Sequence, residues 1–436
     1  QPIGLTGNGI MKLDLAEVSS NFFSFNSTWF KADTANLNVF DNNNSIAFNA
    51  QNLRANIDLS DREGVFYSNG LGSYVTFPAS EYISYIDKLK WEMDKEQLTF
   101  GEKELNNSKG SKFISLNSDQ DSLSFIASSA DYSLKDFIIN AHGVDSLNIA
   151  DAVIFPDSGE LIVERGARIR TLNNSSLLLD PLIRYHSFNN ATIDIFSANK
   201  YSASADYVYI DSLGNKQDIY FSEIIVNPDT ITLATASVNE KKVFKIGNRY
   251  DFKGDIKILG DRKNLTYNGF FKINHNCSNF STQWIAFSSE IDPSYISFDL
   301  KEKLFSDIDD KLYSGIFYNK DSTIFYPTFM STKKRAKDLE FFSATSSVYY
   351  NKSNSSYVIG GQDSVSNILL LDEKTCTVSG DGMIDLNLNL GRIKTKSIGK
   401  ILNKNKNQLE IDGFLMFDFD FSKDAMEIMA QDIFSA

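Results

Sequence analysis

His275 stands two residues before Cys277 in "INHNCSNF", an imidazole and a thiol close enough in sequence to begin a metal site. Two ligands fall short of the four that structural zinc takes, and neither His142 nor His186 supplies an HExxH or comparable spacing. The three histidines therefore read as turn residues. "FSDIDDK" gathers Asp307, Asp309 and Asp310, but a calcium loop needs more oxygen ligands and a glycine-bearing turn. A solvated turn accounts for it. Arg168 and Arg170 lie two apart in "ERGARIRTL", with Arg165 and Arg184 nearby. Guanidinium forks suit phosphate or carboxylate, so Arg168 and Arg170 are candidate contacts for an anionic headgroup, set against a surface strand that balances nearby acids. Paired carboxylates for glycoside hydrolysis would need a fold that joins distant residues, and 56 acidic residues single out no pair. No GxSxG, phosphate loop or dinucleotide fingerprint stands in a strand-to-helix context. The expectation is no catalytic residue, no cofactor, no metal and no enzymatic activity.

The elements that would carry such groups are strands. In "QLEIDGFLMFDFDF" (408–421), Leu409, Ile411, Leu415, Phe417, Phe419 and Phe421 share one parity, and Glu410, Asp412, Asp418 and Asp420 share the other. Successive strand side chains point to opposite faces, so this is one apolar face and one acidic face. It reads as closed core or as an open groove able to shield acyl chains. Similar alternation recurs in "GIMKLDL" (9–15), "ATIDIF" (191–196), "GDIKIL" (254–259) and "MIDLNLNL" (383–390), with polar turns between. "KLKWEMD" followed by "LTF" predicts a hairpin over 88–100. "SKDAMEIMAQDIF" (422–434) is the helical exception. Ser422 caps it, and Met426, Met429 and Ile433 lie on its apolar stripe as a candidate docking surface. A short turn is expected within 79–89, ahead of the hairpin.

The fold class is accordingly all-β: stacked strands as a solenoid, β-taco or tandem sandwich, with a short C-terminal helix. An aromatic fraction of 13% with only 7 Pro suits pleated surfaces. A net charge of −13 argues against nucleic acid and anionic membrane surfaces. No apolar run is long enough for a transmembrane helix. Cys277 and Cys376 are either bridged in an oxidising compartment or two buried thiols. "LTGNGIMKLDL" (5–15) echoes "VSGDGMIDLNL" (378–388), and "YNGFFKI" (267–273) shares an aromatic pair after Gly with "IDGFLMF" (411–417). The echoes predict construction by repetition of a strand unit. A chain that begins at Gln1 reads as a processed product or a piece of a longer one. Turn-rich stretches suggest three regions, 1–100, 101–330 and 331–436.

Residues 191–226 and 27–70 both read as strand, turn and strand, and the cadence of 27–70, with its Ala-Asp, Ala-Asn and Asn-Ala pairs, resembles the LptA/OstA-type repeats of lipopolysaccharide-transport proteins. "GDGMIDLNLNL" resembles the Gly-led strands of AsmA/TamB-type envelope proteins, and 73–94 is similar to segments of large β-repeat proteins of Bacteroidota. The resemblance implies an elongated, non-enzymatic envelope protein of the periplasm, the outer membrane or the cell surface. It would be a structural component or a lipid-conduit bridge, with envelope proteins as partners and lipid or lipopolysaccharide as ligand. A β-helical polysaccharide-binding or polysaccharide-degrading protein is the rival expectation.

Overall fold

A computed structural model of the chain describes residues 4–101, 110–241, 243–300, 303–361, 366–388, 390, 393–405, 408–419 and 421–435. Among them are thirty-six strands, a few 3-10 turns and one α-helix, Lys423–Ser435, so the chain is all-β with a short C-terminal helix. Every strand pairing described is antiparallel, as short strands joined by polar turns require.

The strands fall into two compact units. The first comprises Gln1–Tyr209, Asp218–Ala236 and Ile258–Lys263; the second comprises Ile210–Gln217, Ser237–Lys257 and Asn264–Ala436. The three-region division expected from turn composition does not hold. A boundary near 100 would cut strand Gln97–Gly101 from its partner Ser129–Ser133, and one near 330 falls inside strand Ile324–Ser331. Turn-rich segments here are hairpin loops, and composition cannot tell a loop within a sheet from a linker.

The first unit opens with a meander, Leu5–Leu13, Ala16–Phe25, Trp29–Phe40 and Ile46–Asp58, each paired to the next. The hairpin expected over 88–100 forms from Lys88–Glu92 and Gln97–Gly101, with Trp91 opposite Leu98 and Glu96 in the left-handed conformation at its turn. The segment 79–89 holds a turn and then strand Tyr82–Tyr85. Alternate residues meet in an aromatic core. The Phe77 ring lies 4.9 Å from Tyr132 and 5.4 Å from Phe100, and the Tyr132 hydroxyl donates to the Ala47 carbonyl at 3.0 Å. That bond lets a phenol occupy an apolar interior without an orphaned hydroxyl.

In the second unit, a seven-stranded sheet runs in the order Ser297–Asp299, Ser347–Asn351, Ser356–Ile359, Ile368–Asp372, Thr377–Ile384, Ile393–Asn405 and Gln408–Phe419. Among the described residues the last strand is therefore an edge. The Cys277–Cys376 disulfide ties loops 99 residues apart. Beside it, Arg249 donates to both carboxylate oxygens of Glu373, at 2.7 and 2.6 Å, and its guanidinium lies 4.2 Å over the Tyr350 ring.

Candidate functional site

Ile393–Asn405 and Gln408–Phe419 form the last hairpin of the second unit. Alternation holds the register: Ile401 faces Ile411, Gly399 faces Gly413, Ser397 faces Leu415 and Ile393 faces Phe419. Gly399 has a φ of +156°, and a Cβ there would run into Asp412 and Gly413 backbone. This close approach explains glycine on both strands. On the acidic parity, Lys400 lies opposite Asp412, Lys394 opposite Asp418, and Lys404 reaches Glu410 at 2.5 Å. The exposed Lys404–Glu410 ion pair contributes little stability, but all three placements match charge along that face. Asp420 lies outside the described residues.

A second hairpin shows what this pattern does when covered. In Tyr250–Leu259 and Leu265–Ile273, Gly254 faces Gly269. Aligning the glycine pairs sets Leu265, Tyr267, Phe271 and Ile273 at the positions of Leu409, Ile411, Leu415 and Phe417. A further strand, Ile285–Ile291, pairs with the outer edge of Leu265–Ile273, and the Phe298 ring stacks on Phe271 at 4.0 Å. Tyr267 is 1% exposed and Phe271 is fully buried. At the C-terminal hairpin, among the described residues, Gln408–Phe419 pairs only with Ile393–Asn405.

Of the two readings of Leu409, Ile411, Leu415, Phe417, Phe419 and Phe421, closed core or open groove, closed core is therefore corrected. The strand residues share a face, but Ile411, Leu415 and Phe417 remain 39%, 44% and 46% exposed; Phe419 and Phe421 are exposed too, and Leu409 is half-buried. Parity dictates which side chains share a face; a covering layer is a tertiary fact that parity does not contain. Sequence reading also missed Phe414, Met416 and Ile398, exposed on the other face, with Phe414 82% exposed. The sign was present in apolar residues standing at positions of the acidic parity.

The helix begins where expected. Ser422 accepts from the Ala425 N–H through its hydroxyl, at 3.3 Å, and from the Met426 N–H through its carbonyl, at 3.1 Å. Met426, Met429 and Ile433 are all exposed, so the docking stripe is not folded onto its own sheet.

The remaining candidates are occupied locally. Arg168 and Arg170 flank the buried Ile169 and both turn to Glu164, Arg170 at 2.9 Å and Arg168 at 3.7 Å. A carboxylate of the chain itself already takes the place of the expected anion. Cys277 is bridged to Cys376, which removes the thiolate a metal would need beside His275. Asp307 accepts from Lys253 at 2.6 Å. His142 lies between Glu160, at 2.8 Å, and Asp131, at 3.4 Å; His186 is buried against the Arg262 carbonyl. In the second unit, an open concavity of about 870 Å³ is lined by Lys253, Phe270 and Phe287 over the Gly254–Gly269 pair. The Lys253 ammonium lies 4.7 Å over the Trp284 ring and is held between Glu240 and Asp307, so its charge is already answered.

The arrangement best suited to recognition is thus the apolar, single-sided hairpin with its adjoining helix. Compared with protein-family models, with curated proteins and with solved structures, the chain matches none.

Proposed function

We propose that this chain is a non-enzymatic structural and interaction component of a bacterial cell envelope that docks a partner on its C-terminal hairpin and helix. One observation carries the reading: Ile411, Leu415 and Phe417 stay exposed at positions whose counterparts Tyr267, Phe271 and Ile273 are buried under a further layer. Full burial of such side chains is worth about 1.5–3 kcal/mol each, and with 39–46% of their surface still exposed a little under half of that gain is left for an incoming surface. The Met-bearing stripe of the helix adds adaptable apolar area. The Cys277–Cys376 bridge supports an oxidising compartment, as an envelope location supplies. A photo-cross-linking residue in place of Phe417, introduced in cells, tests the reading. Protein adducts at this position, absent when Tyr220 on another exposed strand is replaced instead, support docking. Equal or absent labelling at both positions overturns it.

A further inference from the structure

We propose that the partner at this edge is a second copy of the chain, paired antiparallel along Gln408–Phe419 with Gly413 on a two-fold axis. The inference rests on the docking reading above and names its occupant.

An edge strand offers unpaired N–H and C=O groups to any strand of matching pattern. Directly opposite residues of an antiparallel pair share a face. Two copies of Gln408–Phe419 therefore keep one continuous apolar face only if the pairing is centred on a residue. A centre between residues would set Leu409, Ile411, Leu415 and Phe417 beside the acidic parity of the other copy.

Charge then selects among the centres. Centred on Ile411, Glu410 meets Asp412. Centred on Asp412, that residue meets itself. Centred on Phe414, Glu410 meets Asp418, and centred on Leu415, Asp412 meets Asp418. Like charges directly opposite are destabilising. Among the centres that pair nine or more residues of the strand, only Gly413 avoids them. It sets Asp412 opposite Phe414, Ile411 opposite Leu415, Glu410 opposite Met416, Leu409 opposite Phe417 and Gln408 opposite Asp418. The apolar pairs fall on the face that the single chain leaves open. Phe414 and Met416, unexplained within one chain, become cross-strand neighbours of the acids. A two-fold pairing of this kind is isologous and closed, so it yields a dimer and not a filament.

The test uses the full chain with its disulfide intact. Sedimentation across micromolar to submillimolar concentrations should show a monomer–dimer equilibrium. Met416→Glu places an acid opposite Glu410 twice per dimer and should weaken association about 2- to 30-fold; Met416→Lys should keep or strengthen it. Register is read by cysteines: oxidising a mixture of Glu410→Cys and Met416→Cys proteins should link them, whereas neither protein alone should link to itself. Equal weakening by the Glu and Lys variants, or linkage within Glu410→Cys alone, refutes the pairing. If the chain sediments as a monomer throughout while Phe417 still yields protein adducts in cells, the second-copy proposal falls and the docking reading stands. Loss of those adducts removes both.

Discussion

Replacing Ile273 and Ile411 in turn with alanine separates a covered face from an open one using the same side chain. Ile273 is 2% exposed and Ile411 is 39% exposed, and they lie on corresponding faces of two hairpins that share a glycine pair. Ile→Ala at a fully buried site costs about 2–5 kcal/mol, because a cavity remains after the methyl groups are lost. The three carbons removed at Ile411 are worth about 0.8 kcal/mol each if fully buried. Scaled to the buried fraction, and with solvent free to fill the space so that no cavity cost is added, the cost is about 1.5 kcal/mol. The assay is urea denaturation of dilute protein, with hydrogen exchange over 265–273 and 408–419 assigning each loss to its hairpin. Two units make a single global transition an unsafe readout, and local exchange avoids that difficulty. Ile273→Ala should lose more than Ile411→Ala. Equal losses would show that Ile411 is core after all, and the reasoning from exposure would fail.

Three further outcomes are expected. Removing the disulfide with Cys277→Ser and Cys376→Ser opens a link between residues 99 apart; loop-closure entropy sets this at about 4–5 kcal/mol, read as a lower urea midpoint of the second unit, and an unchanged midpoint contradicts it. Burial holds the His186 pKa below its ordinary value, against a hydrogen bond to the Arg262 carbonyl that raises it. The unfolded chain therefore binds the extra proton first, so this contribution is complete above about pH 6.5 and is lost as pH falls towards the depressed folded value. The difference in urea midpoint between the native chain and His186→Gln should shrink across that window, and a constant difference refutes the assignment. Asp338 is buried and accepts from the Asn319 amide at 2.8 Å and the Tyr326 hydroxyl at 2.5 Å; Asp338→Ala orphans both donors and should cost at least about 1–3 kcal/mol by hydrogen exchange over 311–331, with unchanged protection there as the contrary result.

Local alternation was enough to place individual elements. The 88–100 hairpin, the Ser422-capped helix and the all-β class follow from residue periods and turn chemistry, which act over a few residues. The short echoes have structural counterparts: Gly9 and Gly382 share positive φ, at 130° and 143°, and Gly269 and Gly413 each face another glycine. Domain limits were not legible, because a hairpin loop and a linker use the same Asn, Ser, Lys and Gly residues. The candidate site was half legible. Its side chains were identified by parity, but Tyr267 and Ile411 have the same local pattern and opposite fates, decided by whether Ile285–Ile291 or an equivalent strand lies alongside. Arg168 and Arg170 stand out through their charge, and the nearby-acid reading holds for both, since each turns to Glu164 just before them in sequence.

The central claim is that the outer edge of Gln408–Phe419 is open in the single chain and is closed by docking. Residue-resolved hydrogen exchange of the full chain, measured as a function of concentration, tests it most directly. In dilute protein the outward N–H groups of 408–419 should exchange rapidly while those of 265–273, flanked on both sides, stay protected. Protection of the outward groups should then rise with concentration. Protection of 408–419 equal to that of 265–273 at every dilution would mean that the chain covers its own edge, and would contradict the account.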